Sequence, residues 1–232
     1  PMWDGQRARG GQVRMVYSPL DALQLARDQP QRQVVFLAVG FETTAPAVAT
    51  AALQAHQTGV KNFTLLVSHV RVPPALEAIL GSADNRVQGV LAAGHVCVIE
   101  GLAAYHELAA RYAVPMVVTG FEPVDILDGL LGCVEQLERG AAAVENRYQR
   151  AASADGNGAA RALVEQLFEP ADFPWRGFGP LPLGGLQLRA EYSHLDAQRR
   201  FGLQPLSGKE LCSSTQQPQP VAEQHGGCRA GA

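Results

Sequence analysis

The sequence has no apolar run approaching the roughly 18 residues of a membrane span, no secretory signal at its start, and no Walker loop or GxGxxG turn after a strand. These gaps leave a membrane span, export and a nucleotide cofactor without support. Its 4 cysteines are scattered and form no CxxC pair. Reduced thiols and a cytoplasmic location are the expectation for Cys97, Cys133, Cys212 and Cys228. Aromatic residues are only 6 % of the chain, whereas alanine and glycine are plentiful, a mixture usual in tightly packed α/β proteins. The formal charge is -3 with both signs interspersed. A nucleic-acid face needs concentrated basic residues, and Arg7, Arg9 and Arg14 read as a solvated edge, so no nucleic-acid or membrane partner is expected.

What is present suits a globular fold: 232 residues at 47 % hydrophobic content can bury the core of one large or two small domains. Val13 to Tyr17 reads as a strand. Ser18-Pro19-Leu20-Asp21 then sets an N-cap, a first-position proline and a capping box for a helix to about Asp28. The run from Gln33 to Val39 is short, β-branched and without polar alternation, which predicts a strand buried on both faces of a parallel sheet. It ends in Gly40-Phe41-Glu42-Thr43-Thr44 and a helix to about Gly59. Further strands are expected at Phe63 to Ser68, Gly89 to Ala92 and Pro115 to Thr119, and a short helix starts at Pro73-Pro74. The last strand leads through Gly120-Phe121-Glu122-Pro123 into a helix to about Gly140, with Val124, Leu127, Leu131 and Val134 at helical spacing. Five strands alternating with helices predict one parallel, three-layer α/β sheet of Rossmann-like βα repeats.

After Gly140 the pattern changes. Glu145 to Arg150 is polar, Gly158 to Phe168 is helical in pattern, Arg176 to Pro182 reads as an irregular loop, and Leu186 to Leu188 as an edge strand. The expected organisation is a parallel α/β domain over 1–140, a helix and loop extension over 141–206 that packs on or returns to a second, incomplete domain, and a disordered tail over 207–232. The abrupt start reads as a piece of a longer polypeptide.

Four strand ends carry polar or glycine-rich sets: Gly40, Phe41, Glu42, Thr43 and Thr44; Ser68 with His69; Gly94 and His95 with Cys97; Glu122 with Asp125. Neighbouring parallel strands lie about 5 Å apart, so these side chains can converge at the crevice where α/β sheets bind ligands. Singly, each has a plainer role. Thr43 and Thr44 suit a helix cap, His69 a local hydrogen bond, Asp125 a helix start and Cys133 the core. The repeated Gly-Phe-Glu fits packing of its phenylalanine as well as use of its glutamate. His95 and Cys97, two apart on an extended segment, would share a side and form a thiolate–imidazole pair or two metal ligands, although two ligands alone do not hold a tetrahedral metal.

Taken together, Gly40-Phe41-Glu42-Thr43-Thr44, Gly94-His95-Val96 with Ile99 and Gly101, Gly120 to Leu127, Glu145-Asn146-Arg147-Tyr148 with Arg150, Gly156-Asn157, and Trp175-Arg176-Gly177 with Glu191-Tyr192 closely resemble the hydrogenase maturation factors of the HypD type. The likeness runs through about residues 8 to 205 and includes the segment from Val13 to Ala22. It implies two α/β domains around a cleft, a cytoplasmic scaffold that helps build the Fe(CN)2CO group of [NiFe] hydrogenases, partners of the HypC chaperone and HypE cyanide-donor types, and a [4Fe-4S] cluster near the C-terminus. By position, Glu42, Thr43 and Thr44 match the family's GFETT motif, and Gly94, His95 and Val96 its PGHVS motif, both facing the cleft.

The departures are specific. The family's CGGHxH motif, with its expected iron-ligand cysteine, and its CPVC motif are missing, and Ala93 and Cys97 replace a usual proline and serine. Cys212 and Cys228 are weak metal candidates, too few for the four thiolates of a cluster. The expectation is therefore an incomplete maturation scaffold without independent enzymatic activity. The alternatives are a small cytosolic hydrolase or transferase using Cys97 with His95 or His69, and a degenerate copy that keeps only a protein-binding surface.

Overall fold

Local chemistry sets most element boundaries in the computed structural model, which describes residues 12–203. Ser18 opens α1 (Pro19–Asp28) with the expected capping box: its Oγ accepts from Leu20 N–H at 3.1 Å, and the Asp21 carboxylate accepts from Ser18 N–H at 3.0 Å. The same carboxylate accepts from Tyr17 N–H at 3.2 Å. Tyr17 N–H is thereby held to the helix start, and the strand expected over 13–17 is not formed.

There follow β1 (Val34–Gly40), α2 (Ala45–Gln57), β2 (Phe63–His69), α3 (Val72–Leu80, with both prolines in its first turn), β3 (Val90–Ala93), α4 (Gly94–Glu100), α5 (Ala103–Tyr112), β4 (Met116–Thr119), α6 (Pro123–Glu138) and β5 (Val144–Asn146). The chain closes with α7 (Gly158–Leu167), β6 (Phe168–Trp175), β7 (Gly179–Leu188), a 3-10 turn (Ala190–Leu195) and α8 (Ala197–Phe201). The molecule is α/β, with parallel sheets flanked by helices. Its parallel strands are divided between two sheets, β1-β2 and β3-β4-β5, rather than gathered in one. The last of them lies in the stretch whose polarity masks it, where Val118 pairs with Asn146.

The segment from Arg176 to Pro182 is not an irregular loop. β6 and β7 form an antiparallel hairpin, and the expected Leu186 to Leu188 strand is the end of β7. Pro170, Pro174, Pro180 and Pro182 hide the strand pattern, and a register shift between Ala171 and Phe173 accommodates the irregularity.

Two faces depart from their expected burial. In β1 only Val34, Phe36 and Ala38 meet the core, while Val35, Leu37 and Val39 are 40 %, 43 % and 67 % exposed. Both helices beside this strand pack into the cluster on its other face. On α6 the stripe of Val124, Leu127, Leu131 and Val134 is turned outward, from 75 % exposed at Val124 to 42 % at Val134. The helix docks instead by Gly129, Gly132, Cys133 and Gln136. A Cβ on Gly129 would stand 2.9 Å from the Thr119 Cβ, so the small residues, not the large apolar ones, fit against the sheet.

The buried residues form two clusters. One joins α1, β1, α2 and β2 to α7, β6, β7 and the 3-10 turn, so the C-terminal segments pack back onto the first sheet. The other joins β3, β4, α4 and α5. Among the described residues no helix is long and apolar enough to cross a membrane. Cys212, Cys228 and the tail expected over 207–232 lie outside the described residues.

Candidate functional site

At the carboxyl end of β1, Gly40 has φ +155, and a Cβ there would collide with Thr44 Oγ1. That hydroxyl donates to Phe41 C=O at 3.1 Å. Thr44 is the N-cap residue of α2, yet its side chain does not cap the helix. The tight turn directs Phe41 outward, with its ring edge-on to Trp175 at 6.4 Å, and Glu42 inward, where it is buried. Glu42 Oε1 accepts from Val72 N–H at 2.7 Å, while Oε2 has no partner among the described residues. Burial pushes the carboxyl up to about 7; backbone hydrogen bonds oppose the shift and the charge of Glu100 adds to it. His69, paired with Gly40 across the ladder, is wholly buried. Its ring stands edge-on to Phe168 at 5.7 Å, neither ring nitrogen has a partner among the described residues, and burial lowers its pKa to about 4. It is a packed residue, not the locally hydrogen-bonded one considered above.

At the end of the second sheet, Gly94 lets β3 turn directly into α4. A Cβ on it would come 2.5 Å from Thr119 O and 2.6 Å from Tyr148 Cδ1. The segment expected to be extended is therefore helical, and at 3.6 residues per turn His95 and Cys97 point to nearly opposite sides. His95 is exposed, with its ring 4.7 Å from Phe121 and 5.9 Å from Tyr148. Cys97 is wholly buried, and burial pushes its thiol up to about 11, against the opposing effect of Tyr105. A thiol so placed is neither paired with His95 nor ionised at neutral pH, and the hydrolase or transferase alternative has no support.

Asp125 Oδ1 accepts from Arg150 Nη1 at 2.7 Å, and the second Asp125 oxygen is bonded to Nη2. This fork holds the Asp125 pKa below the usual carboxylate range. Glu122 lies 3.8 Å from the same guanidinium, which also covers the Tyr148 ring at 4.6 Å. Beside it Arg147 binds Asp128, Glu135 and Glu145 at 2.8, 2.9 and 2.8 Å. Asp128, Asn146, Arg147 and Arg150 border an open cavity of about 630 Å³.

The structure thus gathers Gly94, His95, Phe121, Glu122 and Asp125 around Tyr148 and Arg150, while Glu42 is buried at the end of the first sheet, its charge adding slightly to the rise of the Cys97 pKa. Thr43 is half-buried beside Glu42. Phe41 and Phe121 are both exposed, so packing of the phenylalanine into the core does not account for the repeated Gly-Phe-Glu. Tyr148, Arg150 and Trp175 were not singled out as site residues. Their signal was the motif likeness at Glu145 to Arg150 and Trp175 to Gly177, which carries no geometry until β5 and the hairpin are known.

Comparison with known proteins decides the lineage. The HypD family model, described as hydrogenase formation hypA family, matches residues 3–223. The chain belongs to the HypD family. It is 45 % identical over 210 residues to the hydrogenase maturation factor HypD of Azotobacter vinelandii, covering 88 % of this chain and 55 % of that relative. The hydrogenase expression/formation protein HupD of Azotobacter chroococcum mcd 1 is 44 % identical over 210 residues with the same coverages. HypD of Escherichia coli K12 is 40 % identical over 196 residues, or 84 % of this chain and 52 % of the relative. The chain spans about half the length of the curated relatives it matches.

A [4Fe-4S] cluster, implied by the HypD likeness, finds no four-thiolate site among the described residues. It needs four thiolates, whereas Cys97 and Cys133 are each buried on separate helices. Among the described residues no three potential ligands group together.

Proposed function

We propose that this chain is a scaffold in [NiFe] hydrogenase maturation that supplies one wall of the cleft in which the Fe(CN)2CO group is assembled. The observations that support this reading are buried Glu42, whose Oε2 has no partner among the described residues, and exposed His95, held between Phe121 and Tyr148. These are the residues that match the two family motifs. The iron group is cargo here. Glu42 can donate or accept one hydrogen bond toward it, and His95 presents a ring nitrogen at the surface, while the metal is held by residues of another segment or a partner. Partners of the HypC and HypE types, a cytoplasmic setting and the absence of independent enzymatic activity belong to this reading.

The test replaces the matching stretch of the A. vinelandii relative with residues 8 to 205 of this chain, in a strain lacking its own HypD, and measures hydrogenase activity. Glu42→Ala and His95→Ala should each abolish maturation, while Cys97→Ser should preserve it. Loss with the serine variant together with tolerance of both alanine variants would overturn the assignment.

A further inference from the structure

β1 is the open edge of a sheet too small to stand by itself. In the parallel ladder, Val34 N–H donates to Asn62 C=O at 2.8 Å and Val70 N–H donates to Gly40 C=O at 2.9 Å. This turns the backbone groups of residues 34, 36, 38 and 40 toward β2. The N–H and C=O of Val35, Leu37 and Val39 therefore point the other way, to an edge at which no strand is paired among the described residues. The same three residues hold their side chains out on the uncovered face. Natural sheets blunt a free edge with charge, proline or a bulge, and Val34–Gly40 has no charge, proline or register shift. On its far side β2 gains only isolated bridges, Leu65 to Asp196 and Val70 to Gly185, so the β1-β2 ladder falls short of the three or more strands that an independent sheet needs, and parallel sheets are covered on both faces.

We infer that this edge and face form a docking site for a strand, with an apolar helix behind it, supplied by HypD-type polypeptide of the kind that the relatives carry beyond the stretch matched here. The inference rests on family membership and not on the maturation role. This chain accounts for only 55 % of the A. vinelandii relative, so such polypeptide exists in quantity. A strand entering parallel to β1 arrives through a crossover whose helix falls on a face of the sheet, here the bare one. The chain's own remaining residues are unsuited: 1–11 contain no β-branched residue, and 204–232 only the separated Thr215 and Val221. A second copy meeting β1 across a twofold axis would run antiparallel and bring no crossover helix.

The experiment co-expresses the full chain with the unmatched portion of the A. vinelandii relative and reads hydrogen exchange at the amides of Val35, Leu37 and Val39. The two should copurify, with exchange at those amides slowed at least ~100-fold relative to the chain alone. Leu37→Lys, which leaves the β1–β2 ladder intact, should cut copurification at least ~10-fold, whereas Val124→Lys on α6 should not. Fast exchange in the complex, binding indifferent to Leu37→Lys, or equal protection in a homodimer of the chain alone would each overturn the inference. If the portion fails to fold in trans, the intact relative decides: its amides aligned with Val35, Leu37 and Val39 must be protected, and fast exchange there contradicts the proposal. No step reads maturation, so the proposed function stands or falls separately.

Discussion

Glu42 and His69 pull the stability of the fold in opposite directions with pH. The Glu42 carboxyl rises from 4.5 to about 7 on burial. The folded state then holds its proton longer than the unfolded one, and stability is lost as pH climbs from 4.5 to about 7. His69 falls from 6.5 to about 4, so its contribution is present above pH 6.5 and is lost as pH drops toward 4. Each shift corresponds to about 3 kcal/mol. The two slopes oppose each other between pH 4.5 and 6.5, and the Glu100 carboxyl, also raised by burial, adds to the Glu42 side. Relative to the native chain, the urea midpoint of Glu42→Gln should gain steadily as pH climbs from 4.5 to about 7 and hold a constant difference beyond it. A variant curve parallel to the native one would refute the burial account of Glu42. Gly40→Ala should cost about 1–3 kcal/mol in the same unfolding measurement, because its Cβ displaces the Thr44 hydroxyl from Phe41 C=O. The sequence marked Glu42 and His69 by position at strand ends. Their burial was illegible because it depends on Phe168 and Val72, which arrive from other parts of the chain.

At the scale of elements, the capping box of α1 and the prolines of α3 were readable because the signal and the structure lie within a few residues of each other. α4 was not. Val96, Val98 and Ile99 favour a strand locally, and the close packing of Gly94 on Thr119 and Tyr148 that turns the chain into a helix is a long-range contact. For α6 the helical period was legible and Cys133 is core as expected, but spacing alone does not say that Gly129 and Gly132 make the packing side narrow and leave Val124, Leu127, Leu131 and Val134 outside. Cys97 and Cys133 both lie on inner faces. In a chain carrying Cys212→Ser and Cys228→Ser, a thiol reagent should therefore find no fast thiol in the native state and two in denaturant. A fast native thiol would show α4 or α6 to be placed otherwise.

For the whole molecule, alternation of strands and helices gave the α/β class, while the division into two parallel sheets depends on which strands meet, which one sequence does not encode locally. Both sheets leave apolar surface uncovered, at Val35, Leu37 and Val39 and along α6 from Val124 to Val134. Such patches drive association when nothing covers them. Sedimentation should accordingly show the isolated chain self-associating as its concentration rises, with Leu127→Lys and Leu131→Lys together weakening the association. A monomer at every concentration would count against uncovered faces of this extent. The central claim, that these residues form a wall of an iron-assembly cleft, is tested most directly by infrared spectroscopy of the purified graft of residues 8 to 205 in the A. vinelandii relative. The account predicts cyanide and carbon monoxide stretching bands in the graft and in its Cys97→Ser form, and none when Glu42→Ala and His95→Ala are combined in a protein that still folds. Bands of unchanged intensity in that double variant would contradict it.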